Sequence, residues 1–362
     1  MIMDSKMYYN IEDDLKGFPD AWCYIIIGGR NTGKTYSGLK YCIKNNKKFV
    51  FVKRTNKDVD ILCCGNTLNK KLPEYEIDLS PMKPINRDLG TNIRAFKIDD
   101  GLGAFYEVED DKPHGSPVGF IISLYAVGKF KGFDMSECDV IIFDEFIPKM
   151  YERSNAMEGD QVMELYKTVS RDRVERGREE LKLFCFANST SIFNYTCDTL
   201  EVTDVIVDME TQKQEALELS DRGIFIRRLP TPPEMMKQEK KTGIYRAMHD
   251  TAWGRMAFDN EFSYNDFSCI KKMNLKHGRP YLSVKYRNDI YYVYMFDDKY
   301  YMTTSRGNVQ KIYSLNSEMG QRDFYYAEVI DLVRACIEGR MFFQKYSMYD
   351  LIINFKKRFK VN

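Results

Sequence analysis

The chain has 362 residues, 44% hydrophobic and 30% charged, and its charges nearly cancel at +1. That length exceeds one ordinary core and calls for two domains with a small connector, while the balanced total leaves the arrangement of charge to speak about partners. Nine cysteines without a CxxC pair, beside three histidines (His114, His249 and His277), argue against a structural zinc site. Met1 to Asn10 lacks the apolar core of a signal peptide, and no apolar run reaches a membrane span. The expectation is a soluble protein of the cytoplasm with reduced thiols and no membrane partner.

In chain order, Trp22–Ile27 reads as a buried strand entering a glycine-rich turn, Tyr36–Asn45 as a helix and Phe49–Lys53 as a second strand. The pattern from Arg54 to Leu72 is mixed, and Pro73 to Pro84 is loop-like. Asn92–Ile98 and Leu102–Glu107 flank Asp99-Asp100-Gly101 as a hairpin, and Gly119–Ala126 is a further strand. Asp139–Phe143 is an apolar strand running into Asp144-Glu145. Val162, Leu165, Tyr166 and Val169 keep helical spacing, and Leu181–Ala187 and Gly223–Leu229 are strands again. Strands alternating with helices predict an α/β domain with a mainly parallel sheet. Three prolines within Pro230–Pro233 set its end, giving domains at 1–230, a helical linker at 231–266 and a third part at 267–362. In that last part, Tyr281–Tyr286, Ile290–Phe296 and Tyr300–Thr304 read as an antiparallel meander, followed by two helices.

Chemistry concentrates at two places. Gly28-Gly29-Arg30-Asn31-Thr32-Gly33-Lys34-Thr35 fits a P-loop between a strand and a helix. Glycines let the backbone turn its N–H groups toward phosphate, Lys34 reaches the β- and γ-phosphates, and Thr35 places a hydroxyl on Mg²⁺. Asp144 emerges from the end of Val140–Phe143, where a Walker B aspartate joins the Mg²⁺ shell, and Glu145 stands ready as the general base for water. The paired acids favour an additional-strand ATPase over a small GTPase, and no guanine-reading element is in place, so ATP is the expected nucleotide. Asn188 after the next strand either reads the γ-phosphate or caps a turn. Arg171-Asp172-Arg173 at a helix end supplies either an arginine finger or a solvated basic helix terminus.

Taken in order, Gly28–Thr35, Phe51-Val52-Lys53-Arg54, Asp144-Glu145-Phe146-Ile147, Thr168–Arg173 and Ala187-Asn188 resemble the genome-packaging (encapsidation) ATPases of small short-tailed phages that replicate by protein priming. The resemblance is strong over 20–230. It implies a homomeric ring, taken to be a pentamer, at the portal (connector) of a procapsid in the host cytoplasm, hydrolysing ATP in turn to drive double-stranded DNA inward. It implies that Arg171 is a trans-acting finger, and that one of Lys53, Arg54 or Lys57 assists the neighbour's nucleotide exchange. The C-terminal part is then an RNase H-like domain without catalysis, and relatives can use a structural RNA at the vertex. Ser283 and Lys285 stand in the first meander strand where a two-metal nuclease needs carboxylates, so no nuclease activity is expected. Candidate DNA contacts are Lys129 and Lys131 in a glycine-flanked loop, against a plain solvated loop, and the basic tail Lys356–Lys360 is a second cluster. The competing readings are a nucleotide-dependent assembly switch, a helicase-like ATPase and a terminase with a working nuclease. Cys63 and Cys64 receive no role.

Overall fold

The computed structural model describes residues 8–71, 80–130, 132–149, 152, 155–262 and 265–361, with only the backbone along 64–71. The chain forms two compact units, Met1–Leu200 with Met209–Tyr264, and Glu201–Asp208 with Asn265–Asn362. Within the first unit, Asn260 donates to Leu229 O and its amide oxygen accepts from the Ser189 hydroxyl, and Thr231 donates to Phe258 O.

The first unit opens with α1 (Ile11–Gly17), β1 (Cys23–Gly28), α2 (Lys34–Lys44), β2 (Phe49–Lys53), α3 (Asn56–Lys71) and α4 (Lys83–Leu89). A meander of β3 (Ile93–Asp99), β4 (Leu102–Glu109) and β5 (Lys112–Ser123) runs into a 3-10 turn over Leu124–Phe130. Next come β6 (Val140–Asp144), α5 (Glu158–Ser170), β7 (Lys182–Ala187), α6 (Tyr195–Thr199), α7 (Thr203–Thr211), β8 (Ala216–Leu219) and β9 (Ile224–Leu229). Short helices α8 (Pro233–Glu239), α9 (Gly243–Met248) and α10 (Ala252–Gly254) lead to a π turn at Arg255–Asp259.

The strands form one sheet in the order β3-β4-β5-β2-β6-β7-β1-β9-β8, parallel from β5 to β9 and antiparallel at both margins. Every residue of β1 and β6 is buried, as a parallel strand covered on both faces requires. Aromatic side chains from β1, β2, β7 and β9 (Tyr24, Phe49, Phe51, Phe184, Phe186 and Phe225) fill the core against α2. The register places Asp144 beside Phe186, Ala187 beside Ile27 and Gly28 beside Leu229. The C-terminal ends of four adjacent strands therefore finish level, and the loops that leave them open onto one edge, where ligands bind in open α/β sheets. Gly38 brings α2 down onto β7, since a Cβ there would stand 2.6 Å from the Phe186 ring.

The second unit carries β10 (Arg279–Tyr286), β11 (Asp289–Phe296) and β12 (Lys299–Thr303) as an antiparallel meander. Strands β13 (Lys311–Ser314) and β14 (Met341–Phe343) add parallel to its two edges. Helices α11 (Glu318–Phe324), α12 (Ile330–Ile337), α13 (Tyr346–Ile353) and α14 (Phe355–Phe359) cover it. Leu282, Val284, Val293 and Met302 from the sheet meet Phe324, Leu332, Leu351 and Phe355 from the helices. Residues 201–208 belong here because Asp204 accepts from the N–H and hydroxyl of Ser347 at 2.9 and 2.6 Å. Among the described residues no helix is long and apolar enough to cross a membrane.

Candidate active site

The P-loop leaves β1 at Gly28 and reaches α2 through two left-handed residues, Asn31 at φ 61° and Gly33 at φ 88°. Gly33 takes that conformation without a Cβ penalty while its Cα face meets the Tyr8 ring. The Tyr9 N–H donates to Thr32 O at 3.0 Å, pinning the N-terminal segment to the loop. The Lys34 ammonium is 8% exposed and donates to the carbonyls of Gly28 (3.0 Å) and Gly29 (2.7 Å), to Thr32 Oγ1 (3.1 Å) and to Asn188 Oδ1 (3.3 Å). Burial lowers its pKa to about 8, against the opposing pull of Asp144 and Glu145.

Across the loop, the Thr35 hydroxyl donates to Asp144 Oδ1 at 2.6 Å. The other carboxylate oxygen accepts from Lys53 Nζ at 2.7 Å, and this lysine lies 3.9 Å from Glu145. Burial alone would lower the Lys53 pKa, but the Asp144 and Glu145 charges hold it above its ordinary value. Glu145 itself sits at φ 55° with its side chain 48% exposed, 3.9 Å from Lys149. A cavity of about 360 Å³ joins Arg30–Tyr36, Asp144, Glu145, Lys149 and Phe186–Asn188.

Thr35 and Asp144 present only oxygen donors, and Lys53 already sets a cation against that carboxylate, so the residues fit a hard divalent ion. Among the described residues no group of three His, Cys, Asp or Glu side chains forms a protein-only metal cage. Mg²⁺ needs none, since it keeps water and phosphate ligands.

The structure thus gathers Gly28 to Thr35, Asp144, Glu145 and Asn188 at one sheet edge. Arg171 is elsewhere, at the C-terminus of α5, with φ 29° and a side chain, 35% exposed, that donates to Phe133 O at 2.9 Å and lies 3.9 Å from Asp134. Arg173, two residues on, is buried and structural. It donates to Cys138 O at 2.6 Å and to Ser136 O at 3.2 Å, and pairs with Asp139. Lys129 is the penultimate residue of the 3-10 turn and bonds Asp100 at 3.1 Å, while Lys131 lies outside the described residues. Of the three basic residues at and beyond the end of β2, Lys53 reaches into its own chain's site, Arg54 is buried, and Lys57 is exposed. The cis engagement of Lys53 with Asp144 and the burial of Arg54, whose Nε donates to the buried Glu158 at 3.2 Å, depend on partners about 90 to 105 residues away and carry no local sequence signal.

The model of the podovirus DNA encapsidation protein (Gp16) family matches residues 3–357. The DNA packaging proteins of Bacillus phage PZA and Bacillus phage phi29 are each 25% identical over 289 residues, 78% of this chain and 74% of the relative. Among solved structures, the Phi-28 gp11 DNA packaging motor superposes with a TM-score of 0.64 at 17% identity, over 99% of both chains. The bacteriophage Phi-29 viral genome packaging motor assembly does so with 0.62 at 18% identity, over 98% of this chain and 99% of that one. These two likenesses show that the fold extends over both units. With the family model matched over nearly its whole length, the chain belongs to the podovirus DNA encapsidation protein (Gp16) family.

Proposed function

We propose that this chain is the ATP-hydrolysing subunit of a homomeric ring that drives double-stranded DNA into a preformed procapsid through its portal. One observation carries the reading: Thr35 and Asp144 meet at 2.6 Å beside a buried Lys34, with Glu145 next in the chain. Family membership and the packaging proteins it resembles support the choice of DNA as the load.

In this reading the P-loop N–H groups and the start of α2 hold the phosphates. Lys34 leaves the Gly28 and Gly29 carbonyls for the β- and γ-phosphates, and Asn188, its present partner, then reads the terminal phosphate. Thr35 and Asp144 would hold Mg²⁺, which when bound offsets phosphate charge. Glu145 orients and deprotonates the attacking water. Arg171, exposed at the end of α5, enters the neighbouring subunit's site. Residues 1–230 do this work, 231–266 connect, and 267–362 bind portal or nucleic acid, with a structural RNA as a further partner in this class of motor. That last part is proposed to be non-catalytic. Strand β10 carries no carboxylate, Glu328 is paired with Lys311 at 2.8 Å and accepts from the Tyr281 and Tyr313 hydroxyls, and Asp350 pairs with Arg358. Lys129 and the neighbouring Lys131 remain the proposed grip on DNA phosphates.

The test is steady-state ATP hydrolysis with and without double-stranded DNA for the parent, Arg171→Ala, Glu145→Gln and a mixture of the two variants. DNA-stimulated turnover, lost in each variant and partly restored in the mixture, is the expected result. Turnover that ignores DNA and survives Arg171→Ala would refute the motor and leave a nucleotide-dependent switch.

A further inference from the structure

Arg171 is held within its own subunit by one short stretch of chain. Its Nη2 donates to Phe133 O at 2.9 Å, and its Nη1 lies 3.9 Å from Asp134. Its backbone, at φ 29° and ψ −135°, lies outside the left-handed helical basin, a setting that a non-glycine residue keeps only where its surroundings enforce it. A guanidinium turned toward Phe133 O has to give up that bond before it can serve a phosphate on another subunit.

The stretch that holds it is anchored on both sides and exposed between. Upstream, the buried Phe130 closes the 3-10 turn, and downstream Met135 and Cys138 are buried. The Ser136 and Cys138 carbonyls accept from the buried Arg173 at 3.2 and 2.6 Å. Phe133, 49% exposed, and Asp134 stand between these anchors. The Phe133 N–H donates to Phe130 O at 3.0 Å, the two rings meet edge to face at 5.6 Å, and Asp134 accepts from the Ser136 N–H at 3.0 Å. Lys129, next to Phe130 in the chain, is the proposed phosphate grip. Its ammonium donates to Asp100 at 3.1 Å, on the carboxylate oxygen that also accepts from Asn56 at 2.7 Å. The hairpin tip that carries Asp100 packs on the same 3-10 turn, since a Cβ at Gly101 would stand 2.9 Å from the Ala126 Cβ. Two cations at opposite ends of one turn thus both face acceptors of their own chain.

We propose that Phe133 is a positioning residue that holds Arg171 back in its own subunit, and that DNA phosphate, by drawing Lys129 from Asp100, shifts the Phe130–Phe133 turn and releases the finger to the next subunit. The proposal rests on the motor reading above and assigns to this turn the step by which DNA stimulates hydrolysis. Phosphate competes readily for Lys129 because its pair with Asp100 is exposed, 63% and 55%, and such pairs hold weakly. The hold on Arg171 is of similar strength: one near-surface carbonyl bond and a distant carboxylate delay the finger without trapping it. Relief of the backbone setting at Arg171 favours the release.

The experiment uses the full chain and reads kcat with and without double-stranded DNA, together with the Kd of a fluorescent ATP analogue. Phe133→Ala frees the carbonyl that holds Arg171 from its ring anchor. It is expected to raise the DNA-free kcat about 3- to 10-fold toward the DNA-stimulated value, the weight of one near-surface hydrogen bond, with Kd within about twofold. The stimulation ratio then falls by the same factor. Phe133→Leu, which keeps an apolar contact with Phe130, should retain the parental ratio. Lys129→Ala should lose most of the stimulation, and Phe133→Ala/Lys129→Ala should keep the raised DNA-free rate, because Phe133 acts after Lys129. Phe133→Ala/Arg171→Ala should fall to the level of Arg171→Ala alone, because the ring acts through the finger. Turnover lowered by Phe133→Ala both with and without DNA would make the turn a plain support and overturn the proposal. An unchanged ratio, or a raised rate that survives Arg171→Ala, would overturn it as well. If Phe133→Ala does not fold, Asp134→Asn decides. It keeps an acceptor for the Ser136 N–H, removes the charge facing Arg171 and should raise the DNA-free rate about twofold, and an unchanged ratio there overturns the proposal. A parent whose turnover ignores DNA would instead sink the motor reading itself, whatever Phe133 does.

Discussion

Replacing Lys53 by methionine isolates the part of the site that the sequence could not orient. The ammonium stands 2.7 Å from Asp144 Oδ2, and the two side chains are only 16% and 11% exposed. Breaking a fully buried pair costs about 3–5 kcal/mol, and the residual exposure here reduces that to about 2–3 kcal/mol, with Thr35 left as the partner of Asp144. For a unit of this size the loss corresponds to roughly 4–12 °C in the melting transition of the nucleotide-free protein. With Mg²⁺ and a non-hydrolysable ATP analogue the balance reverses, because the ion takes over the neutralisation of Asp144 and no longer competes with a tethered cation. Scanning calorimetry in EDTA and at saturating Mg²⁺-nucleotide should therefore show a larger ligand-induced stabilisation for Lys53→Met than for the parent. In an Asp144→Asn background the same substitution should have little effect in EDTA. An unchanged transition in EDTA, or an equal loss with and without ligand, would refute the reasoning.

Lys34 is raised in acidity by burial, to a pKa of about 8, so in the nucleotide-free chain it is charged below that pH and neutral above it. Its folded pKa lies below its unfolded value, so it adds stability as pH rises from about 8 toward the ordinary lysine range. Nucleotide affinity moves the other way, weakening by at most about tenfold per pH unit above 8, and Lys34→Arg should flatten that slope in a binding titration. Gly38→Ala drives a Cβ to 2.6 Å from the Phe186 ring and should cost about 1–3 kcal/mol in urea unfolding. Arg173→Met should destabilise by about 1–3 kcal/mol by taking the side-chain donor from the Cys138 and Glu179 carbonyls, while Arg178 stays on Asp139 and on Ser136 O. Arg171→Ala loses one hydrogen bond to Phe133 O and a 3.9 Å approach to Asp134, both near the surface, and should cost no more than about 1 kcal/mol in the same unfolding assay while abolishing DNA-stimulated turnover.

Much of the site was legible because its signals are local. A glycine-rich turn after an apolar strand and an aspartate after another each specify their own backbone, and a parallel sheet then levels their ends. What failed was less local. Helix α3 was missed because few of its residues are apolar, yet it opens on a reciprocal cap: Asp58 accepts from the Thr55 N–H at 2.9 Å and hydroxyl at 2.8 Å, while its own N–H donates to Thr55 Oγ1 at 3.2 Å. A Thr-x-x-acid pattern at 55–58 was the available cue. The first half of β5 was hidden by Pro113, Gly115 and Pro117, which read as breakers. These residues sit in a stretch that pairs with β4 alone, and β2 joins only from Gly119 onward, so the missing donors leave no central ladder broken. The strand expected over Gly119–Ala126 stops at Ser123 because the chain tightens there into the 3-10 turn. Strands β13 and β14, of four and three residues, carry too little periodicity to be read alone.

The interleaving of the two units has a consequence for how such a chain can be cut or recombined. The sequence passes between units at Leu200, at Asp208 and again at residue 264. A crossover at the last of these points alone would join a foreign second half to a native 201–208 segment, and Ser347 would then depend on a mismatched partner in place of Asp204. A fragment beginning at Asn265 has the same gap. The exchangeable module of this chain is thus discontinuous: residues 201–208 must travel with 265–362, and helix α7, which spans the junction at 208, has to be inherited as a seam compatible with both sides.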